Sequence, residues 1–170
     1  MTDRFVRPAA LALLLAALGA CNASEPPAAS APVLGMYDNL ARPGARIDAE
    51  TAVEMISAYR RNHGLRPLQL DPTLAGIASA QADSMAGAGR PASADSVKAK
   101  VAAAGFRAPA ANLSAGYQTF AEAFSGWRES PAHDRVMLDP KAARMGIAAA
   151  YAPGTKYRVF WTLVVAEAPR

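Results

Sequence analysis

The sequence predicts an α+β domain, with helices first, a strand hairpin last, and a sheet covered on both faces. Three observations carry this. Two long stretches, "DAETAVEMISAYRRNHG" (Asp48–Gly64) and "LDPTLAGIASAQADSMAGAG" (Leu70–Gly89), repeat apolar residues at helical spacing between start and stop signals. The C-terminal "KYRVFWTLVVAEA" (Lys156–Ala168) has apolar residues on both faces of a strand, the pattern of a strand buried on both sides. Helices followed by two strands joined across a turn signal arrange themselves with the sheet between helical layers.

Taken in order, the first 20 residues stand outside that fold. Arg4 and Arg7 precede an apolar run from Ala9 to Leu18, then small residues; this reads as a secretory signal, too short to span a bilayer with margin. It ends in "LGAC" (Leu18–Cys21), which resembles a bacterial lipobox, whose cysteine is lipidated and becomes the mature N-terminus. Cys21 is the only cysteine, so no disulfide can form within one chain. The expectation is an exported protein of the bacterial cell envelope, held to the membrane through Cys21. Residues 21–46 hold Cys21 and the Pro/Ala/Ser-rich "NASEPPAASAPVLGMYDNLARPGAR", a tether in which "VLGMYDNL" is expected to pack locally. The domain is expected over 47–170.

Within it, Asp48 is placed to cap a helix whose Ala49, Ala52, Val53, Ile56 and Tyr59 share a face, with Gly64 as its stop. Asp71 and Pro72 start a second helix, along which Leu74, Ile77, Ala78, Gln81 and Met85 form a stripe. "SADSVKAKVAAAGF" (Ser93–Phe106) is a shorter helix ending at Gly105. After a connection over Arg107–Pro109, "ANLSAG" (Ala111–Gly116) is a short strand. "TFAEAFSGW" opens with Thr119 and Glu122 in capping-box spacing and puts Phe120, Phe124 and Trp127 on one face. "ARMGIAAAYA" (Ala143–Ala152) and the C-terminal strand meet across "APGT".

The 170 residues suit one domain, and 52% apolar composition allows a core, although alanine supplies much of it. The formal charge of +4 falls to +3 once Asp3, Arg4 and Arg7 leave with the signal. With no dense Lys/Arg run and no aromatic interleaving, nucleic-acid binding has little support; mild attraction to anionic envelope surfaces is what this charge allows.

The order of elements resembles a CAP domain of the SCP type, in its bacterial form. "ISAYRRNHGLRPLQLDPTLAGIASAQADSMA" is similar to that family's opening pair of helices. "ANLSAGYQTFAEAFSGWRESPAHDRVMLDP" is similar to its motif-bearing centre, with W..SP.H followed by Met-Leu and Pro, and "ARMGIAAAYAPGTKYRVFWTLVVAEA" to its closing strands. The resemblance implies a three-layer α-β-α sandwich with a central, largely antiparallel sheet. It also implies a cavity that in many members carries two histidines and two acidic residues able to bind a divalent metal.

This chain keeps little of that set. His133 matches the motif histidine, but Gly89–Val97, where the other should fall, has none, and Ala111 stands where an acidic residue precedes Asn112. Glu129 lies near the second acidic position, and His63 sits at a helix end with free carbonyls to meet. One imidazole and one carboxylate fall short of the three or four ligands a transition metal wants, so neither a metal nor a cofactor is expected. Ser130 and His133, with Asp134 or Asp139, raise the idea of a nucleophile, base and orienter. No nucleophile-elbow glycines flank Ser130, however, and it reads better as the cap of a segment with Pro131 at its first position. The sequence therefore points to a non-catalytic envelope module that binds a small apolar ligand, a glycan or a protein. Its cavity would be lined by a hydrogen-bonded His133 with Asn112, Glu129 and Ser130. The alternative is a weak or metal-assisted hydrolase working at His133.

Overall fold

The computed structural model describes residues 34–169. The signal segment, Cys21 and most of the tether lie outside the described residues. Within them, a 3-10 turn (Leu34–Tyr37) precedes α1 (Ala49–Asn62), β1 (Gln69–Leu70), α2 (Pro72–Ala88), α3 (Ala94–Ala103), β2 (Arg107–Ala115), α4 (Phe120–Glu129), α5 (Pro131–Met137), β3 (Arg144–Tyr151) and β4 (Val159–Glu167). The strands form one sheet in the order β1-β3-β4-β2, antiparallel except for the short β1–β3 pair.

The helix starts follow from the sequence. The Asp48 carboxylate accepts the Thr51 N–H at 3.0 Å, and Asp71 accepts from Thr73 and Leu74. Each satisfies donors that the first helical turn leaves open. Thr119 and Glu122 form the expected capping box. α1 ends at Asn62, with Gly64 taking the left-handed conformation (φ 71°) just beyond it.

β4 holds the layers together. Val159, Trp161, Leu163 and Val165 point toward α1, α4 and α5, packing with Ile56, Phe120, Trp127 and Met137. Val164 and Ala166 point the other way, against Leu74, Ala78, Val97 and Val101 of α2 and α3, while Phe160 meets Met85. The result is an α+β sandwich with helices on both faces. Trp127 and Trp161, both fully buried, meet edge-to-face at 6.3 Å. On the opposite face, α2 lies so close to β3 that a Cβ at Gly146 would run into the backbone of Leu74 and Ala75.

Two strand features differ from the sequence reading. β2 begins at Arg107, not Ala111; Arg107 pairs with Glu167, and the register shifts before Ala110. Ala108 sits in that irregularity at φ 45° beside Pro109, a bulge that local propensity does not announce. β1 is only two residues long, too short to show a period. Leu40 and Ala41 of the preceding stretch join the core, the Leu40 N–H donating to the Gln118 carbonyl at 2.8 Å and Arg158 Nη2 to the Ala41 carbonyl at 3.2 Å.

Arg60 is the unexpected core residue. Its guanidinium is fully buried and donates to the carbonyls of Arg66, Met137, Asp139 and Ala142, at 2.8, 2.6, 3.0 and 3.2 Å. It thereby ties α1 to the loop before β1 and to the turn between α5 and β3. Burial lowers its pKa from the usual guanidinium value, yet arginine remains a cation at neutral pH.

Candidate functional site

The motif residues gather where β2 meets the α4–α5 junction. Asn112 is fully buried on the face of β2 that also carries Ser114, opposite Leu163 of β4. Its Nδ2 donates to the His133 carbonyl at 3.0 Å, linking the central sheet to α5. Its Oδ1 is buried with no hydrogen-bond partner. Two residues along on the same face, the Ser114 hydroxyl accepts from Trp127 Nε1 at 3.0 Å. The W..SP.H segment is thus moored to β2 at two points, and both moorings are architectural.

The bond to His133 uses the peptide carbonyl, not the imidazole that the sequence reading expects to be hydrogen-bonded. A carbonyl has two lone pairs and can serve a helix and Asn112 together. The ring is half-buried, and the loss of solvent pushes its pKa below the ordinary histidine value, favouring the neutral form. Ser130 occupies the N-cap position of α5, and its carbonyl accepts the Asp134 N–H at 2.8 Å, but its hydroxyl makes no capping bond. Pro131 at the first position has no N–H, which leaves one donor fewer to cap. Glu129 ends α4 with its side chain exposed.

The two carboxylates considered as orienters are engaged elsewhere. Asp134 Oδ1 accepts from the Tyr59 hydroxyl at 2.8 Å, and Asp139 Oδ1 accepts the Lys141 N–H at 2.9 Å. Burial and then the Asp134 hydrogen bond raise the Tyr59 pKa. Among the described residues no hydrogen bond joins Ser130 to His133, so a nucleophile–base pair is not assembled there. Nor do three or more His, Cys, Asp or Glu side chains among those residues converge on a point that could hold a metal ion. His63 is exposed and donates Nδ1–H to the Tyr59 carbonyl at 2.9 Å, the helix-end role expected for it. Ala111 faces the α2–α3 side, packed with Val164.

Sequence reasoning missed a concavity elsewhere in the domain. A cleft of about 420 Å³ lies between the stretch Pro43–Arg46, Ser79 and Asp83 of α2, and Ala149–Tyr151 of β3. It combines a guanidinium (Arg46), a carboxylate (Asp83), a hydroxyl (Ser79) and an aromatic ring (Tyr151). Arg158, held at φ 62°, lays its guanidinium over the Tyr151 ring at 5.9 Å. Nothing in the local sequence links these positions; the pairing of α2 with β3 brings them together.

Comparison with known proteins agrees with this architecture. No curated protein matches the chain. Among solved structures, it is similar to an extracellular SCP-domain protein of Bacillus anthracis (19% identity, TM-score 0.58) and to a cysteine-rich secretory protein of Staphylococcus aureus (21%, 0.57). Each match covers 70% of this chain, which spans only 40% and 38% of those two proteins. An outer surface protein of Borrelia burgdorferi is similar over 73% of this chain and 98% of its own length, at 16% identity and a TM-score of 0.61. At these identities the likeness is one of fold. The profile of the cysteine-rich secretory protein family, CAP, matches residues 53–165, from α1 through β4. The chain therefore belongs to the CAP family.

Proposed function

We propose that this protein is an exported, lipid-anchored module of the bacterial cell envelope whose CAP domain binds a ligand without transforming it. Of the ligand classes the sequence leaves open, the reading favours a hydroxylated one, a glycan, over a small apolar molecule. The observation that carries this is the lining of the cleft beside β3. Arg46, Asp83 and Ser79 supply hydrogen-bond donors and acceptors around one aromatic surface, Tyr151. An apolar ligand would leave those groups desolvated and unmatched, at a cost of roughly 1–3 kcal/mol each. The hydrolase alternative needs an oriented base at His133, while Tyr59 and Lys141 take the nearby carboxylates.

Mass spectrometry of small molecules that co-purify with the protein from envelope extracts tests the ligand class. Saccharide fragments retained by the wild type and lost in Asp83→Ala/Tyr151→Ala are the expected result. A co-purifying lipid with no saccharide would refute the glycan reading. The anchor is tested separately. The "LGAC" end of the signal motivates acylation at Cys21, and several acyl chains at about 0.8 kcal/mol per buried methylene anchor firmly. Cys21→Ser is expected to release the protein from membranes, and an unmodified Cys21 in the wild-type membrane fraction would sink that part.

A further inference from the structure

At the β1 end of the sheet, away from the motif residues, a second cleft of about 300 Å³ is lined by Arg66, Pro67, Gln69, Ala143, Arg144 and Ala168. Its lining contains two guanidinium groups and no carboxylate. Arg66 is exposed in the loop between α1 and β1, and Arg144 is half-buried at the start of β3, where it pairs in register with Gln69. Among the described residues neither arginine takes part in an ion pair; the two salt bridges there are Lys98–Asp95 and Arg107–Glu167.

The buried Arg60 donates Nε–H to the Arg66 carbonyl at 2.8 Å, so the loop that presents Arg66 is held by another cation. Arg60 bonds only to main-chain carbonyls, so no carboxylate bonds to this third guanidinium either. Two like charges, Arg66 and Arg144, thus line a concave surface without a bonded counter-ion, while the charge of Asp139 acts on the buried Arg60 behind the loop. Planar guanidinium forks match phosphate oxygens in pairs and are less strongly hydrated than an ammonium. Gln69 adds an uncharged donor to the rim.

We propose that the Arg66–Arg144 cleft is a binding site for a phosphate-bearing anion, separate from the motif site and from the cleft beside β3. Two sources share that chemistry: the headgroup of an anionic lipid in the membrane to which the chain is tethered, and a free phosphorylated compound of the envelope.

The test uses the full chain carrying Cys21→Ser, so that no acyl chain contributes to membrane binding. Inorganic pyrophosphate is titrated by calorimetry, and cosedimentation is measured with phosphatidylglycerol vesicles and with phosphatidylcholine vesicles as the uncharged-surface control. Arg66→Gln/Arg144→Gln is compared with Arg90→Gln/Lys156→Gln, which removes the same charge from exposed positions outside the cleft lining. Circular dichroism establishes that both variants are folded. The expected result is binding that the cleft variant weakens about tenfold or more, through loss of charge-assisted hydrogen bonds, while the control variant stays near wild type. Added salt should weaken binding, as screening requires. Pyrophosphate binding, with or without vesicle binding, supports the site and shows that a free phosphate suffices. Arginine-dependent binding to phosphatidylglycerol alone supports it with a lipid headgroup as the source. Absence of binding to both probes, or equal losses in the two variants, overturns the proposal.

Discussion

Replacing Arg60 is the most direct test of how the helical layer is fixed to the sheet. The guanidinium makes four hydrogen bonds to carbonyls of two separate segments, and its side chain is wholly inside. Arg60→Ala removes all four donors and leaves a large cavity. Truncating a large buried side chain costs about 2–5 kcal/mol, and each carbonyl left desolvated adds about 1–3 kcal/mol unless water enters the cavity. With partial rehydration, a loss of roughly 5 kcal/mol is expected for Ala, a large share of the ~5–15 kcal/mol by which domains are stable. Arg60→Met fills most of the space and removes the cost of burying a charge, so about 3 kcal/mol is expected. Arg60→Lys keeps the charge but offers one compact group with three donors, and roughly 2 kcal/mol is expected. Urea denaturation followed by far-ultraviolet circular dichroism gives the three values. The reasoning predicts the order Lys, Met, Ala in increasing cost. An Ala variant within about 0.5 kcal/mol of wild type, as for an ordinary surface change, would refute it.

Gly146→Ala should also destabilise, by about 3 kcal/mol or more, because the added methyl meets the backbone of Leu74 and Ala75 rather than a movable side chain. An unchanged melting temperature would show that α2 does not rest on β3 as described. Trp127→Ala is expected to cost roughly 3–5 kcal/mol, and Trp127→Phe less, with the Ser114 hydroxyl then losing its donor. An Ala variant that melts with wild type would remove Trp127 from the core. At His133, burial lowers the folded-state pKa, so the unfolded chain takes up the proton first as pH falls. The neutral ring's contribution is present above about pH 6.5 and is lost as pH drops through and below that value. His133→Asn should flatten this part of the stability–pH curve, and an identical curve would contradict the burial argument. Zinc in modest excess should leave the melting temperature unchanged, since tight binding would raise it by mass action. A zinc-dependent rise abolished in His133→Ala would revive a metal site.

The parts of the fold with strong local chemistry were legible in the sequence. Asp48, Asp71 and Thr119 announce helix starts through the donors they accept, and the continuous apolar run in β4 announces burial on both faces. Features created by tertiary contact were not. Arg60 lies in a polar stretch with Arg61 and Asn62, and nothing local reveals the three carbonyls brought to it from residues 137–142. The bulge at Ala108 hides the first half of β2, since alanine and proline carry little strand propensity. At the candidate site the sequence located Asn112 and His133 but not the atoms that join them: side-chain identity suggested an imidazole contact, whereas the peptide carbonyl makes it.

The central position of β4 bears on how the molecule can be made. Residues 159–167 supply the shared wall of both cores, so before they emerge the layer of α1, α4 and α5 and the layer of α2 and α3 have no common strand to pack across. Pairing β2 with β4 must also wait for a partner some fifty residues downstream, as in Ala111 with Val164. A nascent chain stopped before Val159 has no route to the sandwich, and the domain closes only when its last strand arrives.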